Sequence, residues 1–183
     1  MEATSAGSMV RFWQDAGRKA WFTKDEAFDA AIRDRFEAAH HAAARGELSS
    51  WAETAEGALA LLLLTDQFPR NLWRASAHAF ATDPLARATA REAIARGHHR
   101  ATALDLRGFF YLPFQHSEDP ADHEFGLSLA EALERDGGES ARWARHHRDI
   151  IERFGRFPHR NAALGRRSTA DELTFLEGGG FAG

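Results

Sequence analysis

Apolar residues recur with a helical period almost everywhere after residue 20, and the breaks between periodic runs fall at Gly, Pro and Asp. The spacing Phe28, Ile32, Phe36, Ala39, Ala43 predicts a one-sided surface helix, capped by Thr23, carrying Asp25 and Glu26 in its first turn and stopped at Gly46. From about Thr54 to Phe68 the chain is apolar nearly all round, the pattern of a buried central helix. Pro69 should end that helix at Phe68, because proline pushes the residue before it out of helical geometry. Thr82-Asp83-Pro84 announces a third helix that ends at Gly97. A shorter one over 104–112 would be stopped by Pro113, and Asp119-Pro120 opens another that runs to about Arg135. A helix from 139 or 140 to 154 puts Trp143, His147, Ile150, Ile151 and Phe154 on one face, and Thr169 to Glu172 has capping-box spacing for a last helix.

No run alternates with period two, so the expected class is all-α, about seven to nine helices around the buried central one. Residues 1–9 read as a flexible leader and 10–183 as a single all-α domain. A chain of 183 residues buries roughly 70% of its unfolded surface, so a substantial core is expected.

Composition narrows the partners more than it names them. The formal net charge is -4, which argues against nucleic acid, whose binding depends on neutralising phosphates with a basic face. The longest apolar run, Ala58 to Leu64, is too short to span a bilayer, so no membrane segment is expected and a cytoplasmic location is read. With no cysteine, thiolate catalysis and cysteine-held metal sites are excluded. Neither GxGxxG nor GxxxxGK[ST] occurs, and Ser117 lies in no nucleophile elbow.

Candidate chemistry gathers at two Phe-Pro joins, Phe68-Pro69-Arg70-Asn71 and Phe157-Pro158-His159-Arg160-Asn161, and in the segment between them that contains His116-Ser117-Glu118-Asp119. Asp66, one turn before the end of a buried helix, needs a partner or a wet cavity, since a lone buried charge costs several kcal/mol. An ion pair with Arg70 that locks the helix end meets that need, and so does a pocket shared by both. Asp119 reads as an N-cap. His116, Glu118, Asp122 and His123 could bind a divalent metal or act in acid/base chemistry, but their spacing matches no zinc signature, and no residue is assigned to a metal. Arg156, His159, Arg160 and Asn161 suit a carboxylate or phosphate, or internal pairing with the acids before them. His147 reads as a core histidine, and the pairs His40-His41 and His98-His99 as solvated faces or helix ends.

The strings WFTKDEAFDAAIRDRF, ALALLLLTDQFPRNLWR, YLPFQHSEDPADHE and RHHRDIIERFGRFPHRNAALGRRSTADELTFLE resemble the bacterial domain of unknown function 924 family, over residues 10–181. The resemblance implies a fold similar to tetratricopeptide-repeat-like helical proteins and implies no activity or cofactor. No 34-residue repeat is visible in the chain itself. Thr65 stands where members of that family commonly carry a large apolar residue.

The functional expectation is one polar pocket for a small anionic or polar ligand, with catalysis an open extension. His116, Glu118 and His159 are the catalytic candidates. Asp66, Arg70, Asn71, Asp119, Arg156, Arg160 and Asn161 are the ligand-binding ones. Asp66 or Glu118 would orient an imidazole while the arginines hold an oxyanion. The rival is a scaffold with no activity, binding a peptide or protein on a concave helical surface.

Overall fold

The computed structural model describes residues 5–181, all of them in helices, turns or connecting segments, with no strand among them. Helix α1 spans Ala6–Trp21, where a leader was expected to run to residue 9. Ser5 and Ser8 form a reciprocal cap, and Met9 and Trp13 are fully buried against the central helix, so residues 5–9 form the capped first turn of α1 and Met9 belongs to the core. Residues 1–4 lie outside the described segment. Helix α2, Glu26–Ala44, is capped by Asp25 rather than Thr23: the Asp25 carboxylate accepts from the N–H groups of Ala27 and Phe28. It ends at Gly46, whose φ of 77° is the left-handed turn that glycine tolerates.

The central helix does not stop at Phe68. Helix α3, Ala55–Leu62, passes through a π-helical turn over Leu63–Gln67 into α4, Phe68–Leu72. Pro69 has no N–H to give to Leu64 O, its partner in a π turn, or to Thr65 O, its partner in an α turn. Side chains from neighbouring helices take over both carbonyls. His40 Nδ1 on α2 donates to Leu64 O at 2.8 Å, and Thr82 Oγ1 donates to Thr65 O at 2.6 Å. Thr65 itself bonds back to Leu61 O at 2.7 Å. The helix therefore continues because tertiary partners supply what proline withholds. His40 is buried at 1% exposure for the same reason, and His99 is buried as well, so neither pair of histidines is wholly solvated.

Around this rod pack α1, α2 and helix α5, Asp83–Ala95, followed by the short α6, His98–Ala101. Trp13 anchors the core, with the rings of Trp21, Phe28, Phe68 and Phe109 all within 5.8 Å of its own. Where a helix over 104–112 was expected, a 3-10 turn over Arg107–Phe110 leads into α7, Leu112–Gln115. Pro113 sits in the first turn of α7 rather than ending a helix, a position where its missing N–H is harmless. Helix α8, Pro120–Arg135, lies close on α7, because a Cβ at Gly126 would come within 2.8 Å of Phe114 Cβ. Helix α9, Arg142–Phe154, packs on α8, and α10, Ala170–Glu177, opens with the Thr169–Glu172 capping box. His147, Ile150 and Ile151 of α9 are buried as expected, but Trp143 in its first turn is 47% exposed.

Candidate functional site

The π turn sets the first element of the site by turning Asp66 inward. Its carboxylate is 1% exposed, and His116 at the end of α7 lies with Nδ1 2.7 Å from Asp66 Oδ1. Gln67 Nε2 donates to the other oxygen, and Arg70 stands 3.4 Å from Oδ1 while also donating to the Asp66 carbonyl. Burial opposes the charge of Asp66, but Arg70 and the hydrogen bonds from His116 and Gln67 outweigh it and hold the carboxyl below its ordinary range. An ionised Asp66 can only accept, so His116 Nδ1 carries the proton. Burial and the nearby Arg70 pull the imidazole pKa down, against the opposing pull of Asp66, so the ring is neutral and Nε2 holds its lone pair. No group among the described residues hydrogen-bonds to that Nε2.

Arg70 also forks onto Asp83 at the start of α5, with both contacts at 3.0 Å. Asp83 in turn lies 3.6 Å from Arg160 Nη1. Sequence reasoning missed Asp83 as a site residue: it read as part of a Thr-Asp-Pro cap, and only the fold shows that it lies between two arginines. Arg160 is 6% exposed, its guanidinium held between the rings of Phe80 and Phe157 at 4.6 and 4.5 Å. Its Nε has no hydrogen-bond partner. Burial and Arg70 pull its pKa down to about 10, so the surroundings disfavour this cation.

Two more imidazoles lie beside this group. Both nitrogens of His147 are buried and unpartnered, and its ring centroid is 6.3 Å from that of His116. His159 Nδ1 is likewise unpartnered. Burial, reinforced by His116 and Arg160, pulls His147 to about 2 and His159 to about 3, so both are neutral across the ordinary pH range. Phe181, after the triple glycine 178–180, stands over them at 4.7 Å from His147 and 5.1 Å from His159. Its far side lines a surface groove of about 460 Å³ with Trp143, His146 and Arg145.

Of the sequence-derived candidates, Asp66, Arg70, His116, His159 and Arg160 therefore meet, joined by Asp83 and His147. His147, expected as a core residue, is buried and has both ring nitrogens without partners. The remaining candidates are held elsewhere. Glu118 is forked by Arg166 at 2.6 and 2.9 Å and accepts the Phe157 N–H at 2.8 Å, so it anchors the 157–160 turn while Asp66 orients the imidazole. Asp119 caps α8 through the Ala121 N–H. Asn71 donates to Asp29 at 2.7 Å on the far side of the rod. Arg156 forks onto Glu172, whose pKa it holds down to about 2, and Asn161 bonds Ser168, Glu172 and Arg166. Asp122 pairs with Arg87 and Arg91, and His123 Nε2 lies 2.7 Å from Ser117 O, so His116, Glu118, Asp122 and His123 do not gather round a common point.

These residues sit in a chain whose positions 9–180 match the model of a bacterial protein family of unknown function, DUF924. The chain belongs to the DUF924 family. The protein ATU0120 of Agrobacterium tumefaciens, of unknown function, has a solved structure that is 55% identical, with a TM-score of 0.90 over 94% of this chain and 97% of its own. The fold of this DUF924 member is therefore that of a solved relative as well as what the helical periodicity predicts. No curated protein matches the chain. No helix among the described residues is long and apolar enough to cross a membrane.

Proposed function

We propose that the DUF924 chain binds a small ligand bearing an oxyanion, such as a carboxylate, in the space bounded by His116, His147, His159 and Arg160, and that His116 acts there as a general acid/base. One observation carries this reading: four buried nitrogens without partners, two on His147 and one each on His159 and Arg160, belong to side chains grouped around an oriented Asp66–His116 pair. More than nine-tenths of buried polar groups in proteins are hydrogen-bonded, so a local excess of orphans supports a site awaiting a partner. Arg160, already stacked and weakly paired, supplies the charge that an oxyanion would complete. His116 Nε2, with Nδ1–H fixed on a carboxylate, is the lone pair available to take a proton. Among the described residues no serine hydroxyl hydrogen-bonds to it, the adjacent Ser117 Oγ accepting from the Asp119 N–H instead, which favours proton transfer or activation of water over covalent catalysis. Entry would run through the groove beside Trp143, with the glycine-hinged Phe181 moving aside.

The test is a thermal-shift panel of small carboxylates, phosphates and neutral polar compounds against the intact protein. At 100 times its dissociation constant a true ligand stabilises by about 2.7 kcal/mol. An oxyanionic compound should raise the melting temperature, and the response should vanish in Arg160→Met and persist in Asn71→Ala. A flat panel, or equal responses in Arg160→Met, would favour the scaffold reading.

A further inference from the structure

A second histidine group lies on another face of the central rod. His40 and His41 on α2 meet His78, from the 3-10 turn Ala77–Phe80, with ring centroids 5.2, 6.2 and 6.1 Å apart. One ring nitrogen from each can be chosen so that all three lie within 4.8 Å of one another. An ion that takes three imidazole nitrogens at about 2.1 Å in tetrahedral geometry holds the ring centroids about 5 Å apart. The ring centroids stand within roughly an ångström of that spacing.

Two further features separate this group from a chance meeting of surface histidines. First, His40 is buried and gives its Nδ1–H to Leu64 O, which fixes the tautomer and leaves the Nε2 lone pair free. That is the support a metal-ligating imidazole ordinarily has, its other nitrogen held by a carbonyl or carboxylate. Second, Trp73 forms a common platform. His78 stacks on it at 4.0 Å with 7° between the planes, and His40 and His41 lie at 4.8 and 5.7 Å from the same ring.

We propose that His40, His41 and His78 form a three-imidazole site for a divalent transition-metal ion of the zinc class. An all-nitrogen donor set suits zinc, nickel or copper and is poor for magnesium or calcium, which prefer oxygen. His40 forms the buried floor while His41 is half-buried and His78 exposed, so the fourth position faces solvent. Such an open position is the arrangement of zinc ions that bind water or an exchangeable ligand. The site is independent of the Arg160 pocket, although its anchor, Leu64 O, belongs to the same π turn that presents Asp66.

The experiment is a calorimetric titration of the metal-free, tag-free full chain with Zn²⁺, followed by a visible absorption spectrum with Co²⁺. A single saturable site is expected, with the d–d bands of four- or five-coordinate Co²⁺. His41→Ala and His78→Ala should each weaken Zn²⁺ binding by about tenfold or more, while His146→Ala, a histidine outside the group, should leave it unchanged. Because His78 is exposed, its variant should fold, and far-ultraviolet circular dichroism checks this. Absence of saturable binding, or binding that survives both substitutions, overturns the proposal.

Discussion

Arg160 and Asp83 show how differently two neighbouring charges bear on stability. Asp83 is the shared counter-ion of Arg70 and Arg160, so Asp83→Asn leaves Arg160 without a carboxylate and Arg70 with Asp66 alone, and should destabilise the fold by roughly 3–5 kcal/mol. Arg160 has only a long contact to Asp83, and its lowered pKa shows that its surroundings oppose the charge. Arg160→Met, which keeps the apolar stem between Phe80 and Phe157, should therefore change stability by less than about 1 kcal/mol. Urea unfolding of both variants checks the contrast. These are also the residues where the sequence was most and least legible. Asp66 stood out as a charge in an apolar string and Arg160 as part of a polar Phe-Pro join, whereas nothing local marked Asp83 or set His147 apart from a core residue, because their places depend on what α5 and α9 bring up against them.

The π turn is the element on which both proposed sites rest. It delivers Asp66 to His116 on one side and Leu64 O to His40 on the other. Its continuity depends on Thr82, whose hydroxyl occupies the carbonyl that Pro69 leaves unserved. Thr82→Val should thus lower stability by about 1–3 kcal/mol by leaving Thr65 O unpaired in the core, and Thr82→Ser should recover most of the loss. Helix stops that depend on one residue, such as Gly46, Gly97 and Gly155, were readable from the chain, as was the Thr169–Glu172 cap, because their physics is local. Pro69 was misread as a terminus because its effect is decided by Thr82 and His40, 13 and 29 residues away. Proline reports that two carbonyls will be freed; only the fold says who accepts the task.

At the scale of the whole molecule, the buried histidines make the fold acid-sensitive. His40, His99, His116, His123, His147 and His159 all have pKa values pulled below 6.5, with burial the leading cause in each. Below pH 6.5 the unfolded chain takes up protons on these rings that the folded chain refuses, so stability is fully present above 6.5 and falls as the pH drops. For His147 and His159, at about 2 and 3 when folded, the loss by pH 5 is about 2 kcal/mol each, from ~1.4 kcal/mol per pH unit. Acid unfolding followed by circular dichroism should begin near pH 6, before the carboxylates titrate. The central claim is that the pocket nitrogens are kept for a ligand at the expense of stability, and His147→Leu tests it most directly. Urea unfolding of this variant at pH 7 should show a gain of roughly 1–3 kcal/mol from removing two unpaired buried nitrogens, widening by about 2 kcal/mol at pH 5, with the response to ligand lost. A variant less stable than the parent at pH 7, by a margin that does not change with pH, would show that His147 is a packing residue and contradict the account.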